Sequence, residues 1–182
     1  MAALWRRNRS TVSRATAGKI KYPCLIPQTL ALIKKIDVGR GPDGLYYDPG
    51  TKRVFTNNHG SHDISAIDSA TGEVVGTVKA EGDGEQAVIG ADGMVYVNLE
   101  DKAEVLVFDP KSLEVKNRYP IGVAQTPTGL AYDAKNDRLF IGTRKDPKMI
   151  VMDAANGKVI ANFPIGANVD YAAFDPILPR SE

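Results

Sequence analysis

Cysteine occurs once in the 182 residues, at Cys24, so no disulfide can close within one chain and cysteine usage carries no message about compartment. No apolar run approaches the roughly 18 residues of a membrane-spanning helix. Apolar residues never recur at 3.6-residue spacing for long, which excludes a solenoid of helices. Histidine occurs only at His59 and His62. There is no nucleophile elbow, no Ser-His-Asp set in a recognisable setting and no redox motif. Acids are missing from residues 1–36, which carry eight Lys or Arg, while the remainder holds 15 basic against 22 acidic residues. A body that acidic repels phosphate backbones, which argues against nucleic-acid binding except through the basic start of the chain. What remains is ordinary for a globular chain: 43% apolar, 25% charged, long enough for one domain with a core.

What the sequence does contain is a repeat. RVFTNNHGSHDISAID (Arg53 to Asp68), MVYVNLEDKAEVLVFD (Met94 to Asp109) and RLFIGTRKDPKMIVMD (Arg138 to Asp153) each place two short apolar runs around a polar loop and close on an aspartate. The closing aspartates lie 41 and then 44 residues apart, a period that signals a repeat architecture. Each unit parses into four short strands. The first are Leu45 to Asp48, Ala87 to Ile89 and Gly129 to Asp133. The second are Val54 to Thr56, Val95 to Val97 and Leu139 to Ile141. The third are Ile64 to Asp68, Glu104 to Asp109 and Met149 to Asp153. The fourth are Glu73 to Val78, Glu114 to Gly122 and Lys158 to Gly166. Short turn-rich links between such strands make an antiparallel meander. A lone meander cannot bury its apolar faces, whereas twisted sheets stacked face to face can, so the pattern predicts an all-β propeller of four-stranded blades. A two-sheet sandwich fits the regular repeat less well.

Leu30 to Val38 reads as the outermost strand of an earlier repeat whose other strands are absent, and PIGANVDYAAFD after Phe163 as the start of a later one. About 3.5 blades result. Residues 1–28 stand apart as a basic, disordered tail with the Arg-, Ser- and Thr-rich composition of a transit peptide. Residues 29–176 form the propeller part and 177–182 a terminal tail. Gly72 and Gly157 sit where a turn needs positive φ. Their counterpart in the second copy is Leu113: either that hairpin uses another turn type or Leu113 is strained, and its bulk favours a different turn type.

RVFTNNHGSHDISAIDSATGEVVGTV and MVYVNLEDKAEVLVFDPKSLEV resemble the YVTN repeat, the blade of YncE-like β-propellers. Tyr96-Val97-Asn98, IDSATGEVV from Ile67, and PIG at Pro120 and Pro164 carry the likeness, which covers residues 30–176. The resemblance implies a seven-bladed fold, usually periplasmic, secreted or surface-bound, although no clear signal peptide is present. It leaves function open between partner binding and lactonase-like catalysis. Against seven blades, half a ring predicts a truncated gene product or fragment, or self-association that completes the ring.

Strand parity gathers on one rim the loops between second and third strands and those between blades. The ligand-binding candidates there are Arg40, Asn58, His59, His62, Asp83, Asp101, Gln125, Arg144 and Asn168. His59 and His62 form H-x-x-H, a conceivable metal pair with Asp63 or a rim carboxylate as third ligand. A solvated loop outweighs that reading, because no helix aligns the rings. Glu81-Gly82-Asp83-Gly84 lacks the alternating ligands of a calcium loop, and Gly39-Arg40-Gly41-Pro42 lacks the rest of a phosphate cradle. Asp68, Asp109 and Asp153 belong to turns whose backbone their side chains can bond. No cofactor is expected. The chain reads as a non-enzymatic scaffold for a protein, carbohydrate or small ligand. The alternatives are the remnant of a metal-assisted lactonase-like hydrolase, or DNA contact through the basic tail.

Overall fold

Alternating apolar and polar residues satisfy both backbone and side chains in paired strands, and among the described residues the regular structure is strand. The computed structural model describes residues 32–176, together with the backbone of Leu4–Trp5 and Lys21–Leu25. These last two, β1 and β2, form a three-stranded antiparallel sheet with β3 (Leu32–Asp37), in the order β1-β2-β3. Both lie inside the stretch assigned above to a basic tail, and at those residues the assignment is corrected to paired strand. Pro23 hid β2, since proline within a run ordinarily demotes it from a strand. The rest of residues 1–31 and residues 177–182 lie outside the described residues.

Three four-stranded antiparallel meanders follow. The first is β4 (Pro42–Asp48), β5 (Arg53–Asn58), β6 (Asp63–Asp68) and β7 (Val74–Val78). The second is β8 (Gly84–Ile89), β9 (Val95–Leu99), β10 (Glu104–Phe108) and β11 (Val115–Pro120). The third is β12 (Gln125–Asp133), β13 (Arg138–Lys145), β14 (Lys148–Asp153) and β15 (Val159–Pro164). Strand order in each sheet is sequence order, as a meander requires. The first strands begin earlier than the apolar pattern suggested, because a register shift after Pro42 and after Pro127 lets pairing resume beyond the proline.

The chain divides into two compact units: residues Met1–Gly84 with Pro110–Glu114, and Glu85–Asp109 with Val115–Glu182. In the first, Ile36 and Val38 at the end of β3 pack on Val54, Ile67 and Leu45 of the β4–β7 sheet. In the second, Tyr96, Val105, Val107, Tyr119 and Ile121 of one sheet pack on Leu130, Leu139, Ile141, Ile150 and Met152 of the next. Face-to-face burial of successive meanders is thus the organising contact within each unit.

The turn between third and fourth strands leans on the outer strand of the preceding sheet. A Cβ on Gly72 would crowd Lys34 and Ile36 at 3.1 Å, and one on Gly157 would overlap the Tyr119 ring. At the corresponding place Leu113 takes φ 64°, so the different turn type expected there is corrected: the turn is left-handed like its counterparts. The reason is local packing. The Leu113 side chain occupies the space left by Gly76, where a Cβ would overlap Leu113 Cδ1. Burial of that side chain offsets a conformational cost of about 1–2 kcal/mol.

After β15 the chain runs through residues 165–176, with a bend at 167–168, without joining a ladder. It lies on the β12–β15 sheet, where Phe174 stacks on Phe140 at 5.8 Å and Val169 O accepts from Thr128 Oγ1 at 2.7 Å. Gln86 of β8 ties it down. Its carboxamide donates to Ala172 O at 2.9 Å and accepts from Leu130 N and Ala172 N at 2.9 and 3.0 Å.

Candidate functional site

The acidic side chains at the two ends of each sheet have different partners. At the end carrying the first–second and third–fourth turns, aspartates bond their own backbone. Asp48 accepts from Gly50 N and Thr51 N, and Asp133 from Lys135 N and Asn136 N. Asp68 accepts from Ala70 N and Thr71 N, and Asp153 from Ala155 N. The expected turn role of Asp68 and Asp153 is what the structure has. The backbone donors of Thr71 and then Ala70 hold the Asp68 carboxyl below the usual carboxylate range.

At the opposite end of the first unit, polar side chains bridge separate segments. The backbone of residues 39–41 runs along the loop after β5, with Arg40 N donating to Ser61 Oγ at 3.0 Å and His59 N to Gly41 O at 2.9 Å. Only glycine fits at Gly39, where a Cβ would meet Asn58 Nδ2 and Asp63 Oδ1 at 2.5 Å. Asn58, expected in a rim loop, is instead buried at the end of β5 and donates to Asp63 Oδ1 at 2.6 Å and Ser65 Oγ at 2.9 Å. With Ser61 Oγ also donating to Asp63 at 3.0 Å, that carboxylate is committed to the loop's own frame. It is not turned toward the histidines.

Asp83 takes that place. His62 Nδ1 stands 2.7 Å from Asp83 Oδ1, and His59 Nε2 stands 3.2 Å from Asp83 Oδ2. Two imidazoles from the β5–β6 loop therefore converge on both oxygens of one carboxylate from the β7–β8 connection. The backbone fixes the approach: Glu81 N donates to His62 O at 2.8 Å, and both residues are left-handed, with φ of 58° and 54°. His59 Nε2 is shielded from solvent and makes no hydrogen bond of good geometry. A carboxylate oxygen of Asp43 lies within 4.8 Å of a His59 ring nitrogen.

In the second unit the same end is organised by Arg144. Its guanidinium reaches Glu100 at 3.3 Å and also Asp170. Asp101 pairs with its neighbour Lys102 at 3.0 Å. Gln125 and Arg144 belong to strands β12 and β13 rather than to loops, and Gln125 and Asn168 are exposed. The structure thus brings His59, His62 and Asp83 together, places Arg144 between two acids, and leaves Arg40, Gln125 and Asn168 as exposed edges. Asp43, Gln86 and Asp170 escaped the sequence reading; Asp170 carries no signal beyond following the PIG segment.

Six of the nine non-glycine residues with positive φ, among the described residues, lie at this end: His62, Glu81, Ala103, Thr126, Asp146 and Asn168. Conformations of this kind cost on the order of 1–3 kcal/mol each and gather where a structure serves a function.

Four-stranded meanders packed sheet on sheet, with this turn chemistry, define the β-propeller class, in YVTN-type blades. The chain is related to YncE. It is 28% identical to YncE of Escherichia coli O157:H7 over 171 residues, covering 87% of this chain and 47% of that protein. YncE of Salmonella typhi is 25% identical and YncE of Escherichia coli K12 27% identical over the same coverage. The chain therefore spans about half the length of these relatives. A scan against protein-family models finds no match. Among solved structures, Kuenenia stuttgartiensis hydrazine synthase superposes with a TM-score of 0.73 at 16% identity, over 80% of this chain and 43% of that one. The dihydro-heme d1 dehydrogenase NirN gives 0.68 at 16% identity, over 81% and 34%. At such identity these two establish likeness of fold alone.

Proposed function

We propose that the chain is a propeller binding scaffold that presents a ligand on the end carrying the second–third strand loops and the connections between blades. One observation carries this reading. Aspartates 48, 68, 133 and 153 at the turn end bond the amides just after them, whereas at the loop end Asp83 is met by His59 and His62 and Arg144 reaches both Glu100 and Asp170 from separate segments. Side chains that bridge loops make a surface whose shape is held before a ligand arrives, which lowers the ordering cost of binding. The left-handed loop residues point the same way.

The test uses labelled chain on arrays of oligosaccharides, peptides and small organic acids. For a specific hit, Arg144→Ala at the loop end of the second unit reduces affinity, while Lys135→Ala and Lys158→Ala at its turn end leave it unchanged. Loss of binding confined to the turn-end variants refutes the reading. The hydrolase alternative depends on His59 and His62, and the observation that discriminates it is whether a divalent ion binds there.

A further inference from the structure

We infer that residues 170–174 are the first strand of a divided four-stranded sheet, and that β1, β2 and β3 of a second copy of this chain supply the other three. The inference rests on strand order, edge geometry and charge, and does not need the scaffold reading.

The β1-β2-β3 sheet lacks its first strand. In the meanders, the turn between third and fourth strands leans on the fourth strand of the sheet before it: Leu113 on Gly76 of β7, and Gly157 on Tyr119 of β11. Gly72 leans in the same way on Lys34 and Ile36 of β3. β3 therefore holds the place of a fourth strand, which makes β2 a third and β1 a second, in the observed order β1-β2-β3. Among the described residues no strand pairs with the other edge of β1.

The second unit holds the complement. Phe174-Asp175 closes its segment on an aromatic and an aspartate, as Tyr47-Asp48 closes β4 and Tyr132-Asp133 closes β12, both first strands. The Gln86 carboxamide bonds Leu130 N of β12 and both main-chain groups of Ala172. In a strand the N–H and C=O of one residue turn to one side, and those of its neighbours to the other. Tyr171 and Ala173 thus turn theirs away from Gln86, and among the described residues those groups have no hydrogen-bond partner. Such an edge is a template for another strand. Beside it Phe163 stands in register with Met149, and Met149 with Gly142, on the face that Val169 touches at Gly142. Phe163 is 54% exposed, and strands added at the open edge would cover it. Charge selects the donor. Residues 1–36, which include β1, β2 and most of β3, carry eight Lys or Arg and no acid. Residues 165–176 carry Asp170, partly offset by Arg144, and Asp175, with no base. A second copy therefore brings both the missing strands and the opposite charge.

The experiment follows the tag-free 182-residue chain by sedimentation and light scattering over about 1–100 μM. The expected result is a dimer in which the exchange is reciprocal. Ala173→Pro removes an N–H from the open edge and leaves the Gln86 bonds to Ala172, and Leu4→Pro/Trp5→Pro removes both donors of β1. Each should weaken association by about 10-fold or more, with the sheet signal in circular dichroism retained. Mixed in equal amounts, the two variants should recover a 1:1 dimer, because each keeps the edge that the other has lost. On the unaltered chain, amide exchange at Tyr171 and Ala173 should slow as the concentration rises through dimerisation. A chain that stays monomeric throughout the range overturns the inference, and so does association that survives both sets of substitutions in one chain. Folded variants that fail to associate on mixing, or exchange at Tyr171 and Ala173 that ignores concentration, overturn it equally. None of these outcomes touches the Arg144 test of the scaffold.

Discussion

Leu113 offers a sharp test of how one sheet is keyed to the next. Its backbone sits at φ 64°, and its half-buried side chain fills the space over Gly76. Truncation to alanine removes three carbons. At about 0.8 kcal/mol per buried methylene, halved for exposure, that costs about 1.2 kcal/mol. The left-handed backbone penalty of about 1–2 kcal/mol remains in the alanine variant. Glycine loses the same contact but releases the penalty, less about 0.4–1 kcal/mol for a freer unfolded chain. Leu113→Gly should therefore be more stable than Leu113→Ala by about 0.5–1 kcal/mol, although glycine is the smaller residue. For a chain of this size each kcal/mol moves Tm by roughly 2–4 °C, within reach of urea and thermal melts followed by far-ultraviolet circular dichroism. Gly76→Ala supplies the second arm. It should destabilise the wild-type chain and cost much less beside Leu113→Gly, because the overlapping Cδ1 has gone, giving a coupling energy of about 0.5–1.5 kcal/mol. An alanine variant as stable as the glycine variant, or an additive double mutant, would show that Leu113 is neither strained nor packed as described.

Tyr46, stacked on Phe55 at 5.4 Å, has its hydroxyl shielded from solvent without a hydrogen-bond partner, and burial pushes its phenol well above the usual range. Tyr46→Phe should raise stability by about 1 kcal/mol; a loss on urea denaturation would mean the hydroxyl is satisfied. Because the folded-state phenol pKa is raised, the native state holds its proton longer than the unfolded chain. The tyrosine protein should therefore lose stability as pH rises beyond about 10, and the phenylalanine variant less so. Gln86→Ala strips partners from Leu130 N, Ala172 N and Ala172 O. A loss of about 2–3 kcal/mol is expected, and amide exchange at Leu130 and Ala172 should quicken, while unaltered exchange would contradict the clamp. Asp68 has a lowered folded-state pKa, so its contribution is complete above about pH 3.9 and vanishes as pH falls through the lower folded value. Urea midpoints of wild type and Asp68→Ala should differ at pH 5 and converge toward pH 2.

Much of the fold was legible because its determinants are local. The alternation in ISAID and MIVMD, the glycines at 72 and 157, and the aspartates that bond amides two or three residues on all act within a few residues. Leu113 was misread because what makes its backbone tolerable is Gly76, on another sheet and far off in sequence. β2 was missed because proline in KYPCL argues against a strand while its ladder partner argues for one. The histidine pair was legible as a spacing but not as a site. Asp63 stood closer along the chain, and only the left-handed turns at His62 and Glu81 bring Asp83 to the rings instead. Asn58 looked like loop and is core, since the second strand runs two residues past its apolar run.

The contacts of Gly72, Leu113 and Gly157 also bear on how such a chain can be remade. Glycine faces Lys34 and Ile36, leucine faces Gly76, and glycine again faces the Tyr119 ring. Bulk on one side answers a gap on the other, and the assignment switches from one repeat to the next. Modules that look interchangeable by period and pattern are therefore not: a duplicated or transplanted repeat carrying leucine at the turn would strike a tyrosine, and one carrying glycine would leave a hole. Recombination within this gene can shuffle repeats only in neighbouring pairs, with the seam inside a sheet rather than between two.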